Sequence, residues 1–153
     1  DRYRRGIYTV WRRSAPYPSF VTFDAPDRGS CVVDRSRTNT PLQALNLLND
    51  EAYFEMSLAL AERVLREVPS NDIAARVNFA FRACLSRAPT DREREFLIQV
   101  AREEADHFRS NEKQAAELTD KWKSGADHDA KELATWFRIS EVLLNLDEMI
   151  TRG

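Results

Sequence analysis

The sequence has little of what catalytic and covalent scaffolds are built from. Its 153 residues include two cysteines, Cys31 and Cys84, and two histidines, His107 and His128. Two cysteines make neither a disulfide framework nor a metal-ligand spacing. A Cys31–Cys84 bridge stays open, and neither cysteine begins a Cys-x-x-Cys-His run, so no haem attaches here. Cys84 falls on an apolar helical stripe and reads as a small core residue. The histidines read as solvated, one on a charged helix face and one in a loop. No Gly-rich phosphate loop, no Gly-x-Ser-x-Gly and no His-Glu-x-x-His occurs. Apolar runs never approach about 18 residues, so no stretch is suited to spanning a membrane. The chain opens without methionine or a signal-peptide pattern and is expected to be a piece of a longer protein.

Four glycines and six prolines, five of the latter before residue 70, leave most of the chain free to be helical. A hydrophobic share of 42% and a charged share of 31% fall in the globular range, and the length suits one domain with its own core. The reading is an all-α helical bundle of four or five helices, with an irregular N-terminal segment packed over it. Residues 1–153 form a single helical domain, with 1–40 loop-rich and arginine-rich and with 41–68, 72–86, 91–123 and 129–151 helical.

Charge is uneven. Residues 1–40 hold eight arginines against four aspartates, a balance of +4, while the rest holds 15 basic and 21 acidic residues, a balance of −6. Two readings compete: arginines pairing with acids at a docking surface, or an anion site. A nucleic-acid binder needs a stronger and more contiguous basic field.

Helix signals are dense after residue 40. Thr40-Pro41-Leu42-Gln43 is a capping box with proline at the first helical position, a cap contributing about 1 kcal/mol. Leu42, Leu45 and Leu48 are expected to form the inner stripe, with Asn46 and Asn49 near it. Asn49-Asp50-Glu51 interrupts or restarts the helix, and Phe54, Leu58, Ala61, Leu65 and Val68 continue a buried face. Ser70 or Asn71 is expected to cap the next helix, whose stripe is Ile73, Val77, Phe81 and Cys84. Thr90-Asp-Arg-Glu93 is a second capping box, opening either one rod over 91–123 or two helices broken at Ser110-Asn111. Asp127 or Asp129 caps the last helix. Its terminal Asp147 and Glu148 oppose the helix dipole, which calls for an arginine from the first segment. Residues 3–13 suit a short helix or a strand equally, and Phe20, Val21 and Phe23 are expected to anchor the irregular segment.

That segment concentrates the candidate chemistry. Asp24 and Asp27 are near enough to share a metal or a proton, but Asp-x-Pro-Asp is also a turn signature. Arg28, Arg35 and Arg37, with Asn39, can converge on an anion near the start of the Pro41 helix, or pair with Asp24, Asp27, Asp147 or Glu148. No metal site is expected.

Thr22-Phe-Asp-Ala-Pro-Asp-Arg28, Cys31, Arg35-x-Arg-Thr-Asn-Thr-Pro-Leu-Gln-Ala-Leu45, Leu47-Leu-Asn-Asp50, Phe79-Ala-Phe-Arg82, Arg87-x-Pro89, Trp136 and Leu143-Leu-Asn-Leu-Asp-Glu148 stand together in one chain. This set, with Arg5 to Trp11, resembles planctomycete-specific domain one, a C-terminal domain of unknown function in large planctomycete proteins. The resemblance implies a last, accessory domain of a secreted or surface-associated protein, with cytochrome c modules upstream. Haem then belongs to neighbouring modules and not to this fragment, and the partners are neighbouring domains of the same polypeptide. The alternative is an enzyme or binding module for anionic polysaccharide, with Arg28, Arg35, Arg37 and Asn39 on the anion and Asp24 or Asp27 as acid or base. The resemblance carries no catalytic residues over.

Overall fold

The structure, a computed structural model, describes residues 6–12, 14–26, 29–34, 36–120 and 128–151. Among them the chain is all-α, with eight helices, one short 3-10 turn over Gly6–Tyr8 and no strand. The helices are α1 (Pro18–Thr22), α2 (Pro41–Asn49), α3 (Glu51–Glu67), α4 (Ile73–Leu85), α5 (Asp91–Ser110), α6 (Glu112–Asp120), α7 (Ala130–Leu144) and α8 (Asp147–Ile150). Of residues 3–13, read as a short helix or a strand, residues 6–12 are described, and they hold the short 3-10 turn and no strand.

Both capping boxes form, at Thr40–Gln43 and Thr90–Glu93. Asp50 divides α2 from α3 because its carboxylate accepts from the Ala52 amide and starts a new helix. The next cap is Asp72, not Ser70 or Asn71: its Oδ1 accepts from the amides of Ala74 and Ala75. A carboxylate there also meets the positive end of the helix dipole. Of the expected rod over 91–123, the described residues to 120 form two helices, and Asn111 makes the break, its side-chain amide donating to the His107 carbonyl. Asp129 caps α7 through the Lys131 amide. Trp122 and Asp127 lie outside the described residues.

The core gathers on α7, which is apolar on two faces and packs chiefly on α3, α5 and α6. Leu58, Val64, Val77, Phe81, Cys84, Leu97, Trp136, Phe137, Ile139 and Leu143 form one buried cluster. Phe54 and Phe137 meet at 4.7 Å between ring centroids, an aromatic contact adding about 0.5–1.5 kcal/mol beyond burial. A small second cluster, Phe108, Ala115 and Ala134, seats the α5–α6 elbow on α7. The Cys31–Cys84 bridge does not form: Cys31 is exposed and Cys84 lies in the core.

Arg76 is the one arginine among the described residues that is buried, at 5% exposed. Its Nη1 donates to Glu132 Oε1 at 2.6 Å, its Nε donates to the Val68 carbonyl, and its guanidinium lies over the Trp136 ring. Asp147 and Glu148 do not oppose a helix dipole as expected. The helix stops at Leu144, and both acids occupy the first turn of α8, where negative charge is favoured. His128 is half-buried, and its Nε2 is buried without a hydrogen-bond partner among the described residues. Val21 is no anchor, being exposed. In its place Ser19 is buried, and Phe20 stacks on Trp11. No helix of the described residues is long and apolar enough to cross a membrane.

Candidate functional site

The irregular segment closes on α2 through the side chains of Asp24, Thr38 and Gln43. Asp24 adopts a left-handed backbone, φ 57°, which a short polar side chain tolerates. Its Oδ2 accepts from both the amide and the hydroxyl of Thr38, each at 2.8 Å. The Thr38 hydroxyl in turn accepts from Gln43 Nε2 at 3.1 Å, and the same nitrogen donates to the Thr22 carbonyl at 2.8 Å. Gln43 Oε1 accepts from the Thr40 amide, completing the capping box. Asn39 reaches across the chain and donates to Asp147 Oδ1 at 2.6 Å. Asn46 donates to Ser19 Oγ.

These bonds decide which way α2 faces. Gln43 is 1% exposed, while Leu42, Leu45 and Leu48 are 60%, 57% and 44% exposed. The leucines are therefore not the inner stripe. The physical reason is polar satisfaction. A buried amide making three hydrogen bonds replaces its water contacts and fixes the roll of the helix. The leucines sit on the face left over.

Of the residues singled out in the sequence, Asp24 and Arg37 line one open cleft of about 460 Å³, together with Asp34, Ser36 and Thr151. Arg37 makes no ion pair among the described residues. Asn39 is engaged by Asp147 instead of joining that cleft. Asp27, Arg28 and Arg35 lie outside the described residues. No group of three His, Cys, Asp or Glu side chains fit to hold a metal ion occurs among the described residues.

A second constellation was not visible in the sequence as a unit. Arg87 donates from Nε and Nη2 to Glu148, from Nη1 and Nη2 to Glu93, and lies 4.8 Å over the Phe81 ring. It joins the turn after α4, the cap of α5 and the start of α8. The arginine that answers Glu148 thus comes from residue 87, not from the first segment. Hydrogen bonds from Arg87, with the Thr90 amide, pull the Glu93 carboxyl down to about 2. Glu148 is lowered by the same guanidinium, and the hydrogen bonds of the two carboxylates raise Arg87 in return. Glu93 in a capping box and Arg87-x-Pro89 were both legible; their meeting with Glu148, 61 residues away, was not.

The family model described as PSD1, protein of unknown function (DUF1553), matches residues 1–101. The chain belongs to this family. No curated protein and no solved structure matches it. The PSD1 match takes in the whole polar segment, α1 to α4 and the first half of α5. The central helix α7 follows it in sequence, and the matched part is tied to that remainder by Asn39–Asp147, Arg76–Glu132 and Arg87–Glu148.

Proposed function

We propose that this PSD1 chain is a non-catalytic interaction module that docks, through the outward face of α2, on an adjoining module of a longer extracytoplasmic, cytochrome c-associated polypeptide. The observation that carries the reading is the inverted helix, with polar side chains inward and three leucines outward. An exposed apolar stripe held in place by the hydrogen bonds of a buried glutamine marks a contact surface. Three leucines bury far less than the roughly 800 Å² per partner of a stable free-standing interface. A tethered neighbour, present at an effective concentration of about millimolar, needs no more. Asp24, Thr38, Asn39 and Gln43 serve as the brace that holds this face.

The test is Leu42→Gln, Leu45→Gln, Leu48→Gln in the longer polypeptide, read by small-angle scattering and by crosslinking between modules. The expected result is a larger radius of gyration and lost crosslinks, with the isolated chain melting as the wild type does. Unchanged compactness, or an isolated variant that melts many degrees lower, contradicts the reading.

Arg37 favours a second reading, an anionic polysaccharide site, because it lines an open cleft and has no ion pair among the described residues. Asp24 and Asp34 in the same cleft work against it. A sulfated oligosaccharide that raises the melting temperature of the wild type and not of Arg37→Ala supports this second reading.

A further inference from the structure

A separate cleft of about 530 Å³ lies where the Gly6–Tyr8 turn and α1 meet the start of α3. Its walls are rings: Tyr8, Tyr17, Phe20, Phe23 and Tyr53. Phe20 is fixed by Trp11 stacked at 5.7 Å and by Tyr17 edge-on at 5.4 Å, and Phe23 packs against Tyr53 at 5.8 Å. Gly6 lets the turn lie close on the Phe20 ring, since a Cβ there would stand 3.1 Å from it. Asp50 is the one formal charge among the described lining residues. Its Oδ1 accepts from the Ala52 amide.

Aromatic faces carry negative potential, and a carboxylate among them adds to it. We propose that this cleft binds a methylated ammonium group. Among the described lining residues no cationic side chain offers an anion a partner. A primary ammonium needs three acceptors for its protons, whereas a methylated one is weakly hydrated and fits an aromatic wall with one carboxylate. The volume falls within the range of small-ligand sites, which are mostly apolar with few convergent polar groups. Burial first, and then the charge of Asp50, push the Tyr53 phenol up. This inference uses a different face from α2 and stands or falls apart from the docking reading.

The test is calorimetric titration of the chain with choline, with its neutral carbon isostere 3,3-dimethylbutan-1-ol, and with glucose. Choline is expected to bind at least about tenfold more tightly than the isostere, a charge contribution of one decade. Asp50→Asn keeps the helix cap, since asparagine caps as well as aspartate, and is expected to weaken choline about tenfold. Tyr8→Ala, which alters an exposed ring, is expected to weaken it as well. No choline binding, equal binding of the isostere, or binding of glucose in its place overturns the proposal.

Discussion

At the scale of single residues, polar side chains do what apolar ones do in most small helical domains. Asp24 holds a left-handed turn and takes two hydrogen bonds from Thr38. Asp24→Ala is expected to lower stability by about 1–2 kcal/mol, since it removes two exposed hydrogen bonds and keeps the strained φ. Asp24→Asn is expected to lose less than about 1 kcal/mol, because the amide oxygen still accepts and asparagine tolerates the same backbone. Urea unfolding of both variants checks the pair, and equal losses would contradict it. Arg87 makes a pH prediction. Its bonds hold Glu93 near 2 and Glu148 below its usual range, so below pH 4.5 the unfolded chain takes up more protons than the folded one. Their stabilisation is complete above about pH 4.5 and fades as pH falls toward about 2. Glu141, pushed up by burial, acts in the opposite sense. The difference between wild type and Arg87→Ala isolates the junction. Melting temperatures between pH 2 and 7 are expected to fall less steeply with acid in the variant, and parallel curves would contradict this.

At the scale of elements, helix starts were legible and helix faces were not always so. The capping boxes at Thr40 and Thr90, the restart at Asp50 and the break at Asn111 are local chemistry, and all appear where the residues put them. So is the stripe Ile73, Val77, Phe81 and Cys84, its last three residues buried and Ile73 partly so. The roll of α2 was not legible. It depends on Thr22 and Thr38 receiving Gln43, and on Asp24 receiving Thr38, across separations of 5 to 21 residues. A pattern rule that turns leucines inward has no access to those partners. Arg76 had a usable signal, because it stands three residues after Ile73 and one before Val77, on the buried face. Its acceptor Glu132 is 56 residues distant and carries no such mark. Of the candidate site, Asp24 and Arg37 do share a cleft, while Asn39 serves α8. Element ends also offer a stabilising change. Ser86 closes α4 at φ 60°, a conformation that disfavours side chains by about 1–2 kcal/mol. Ser86→Gly is expected to raise stability by about 1 kcal/mol in chemical denaturation, and a loss would mean that the serine side chain has an essential partner.

At the scale of the whole molecule, the PSD1 match and the remaining helices are one packed unit among the described residues. Phe137, 1% exposed on α7 and against Phe54 on α3, joins the two parts. Phe137→Ala is expected to cost about 3–5 kcal/mol and to move the unfolding transition as a single step by circular dichroism and tryptophan fluorescence; separate transitions would show that the parts unfold independently. The architecture leaves α2 on the outside of this unit, rolled by its polar side so that its leucines face away. The measurement that tests this most directly is urea unfolding of Gln43→Leu beside Leu42→Gln, Leu45→Gln, Leu48→Gln. Gln43→Leu, more hydrophobic and nearly isosteric, is expected to lose about 2 kcal/mol or more, while the triple variant stays within about 1 kcal/mol of wild type. The reverse order, a neutral or stabilising Gln43→Leu with a collapsed triple variant, would mean that α2 turns its leucines inward and that the brace and docking face described for it do not exist.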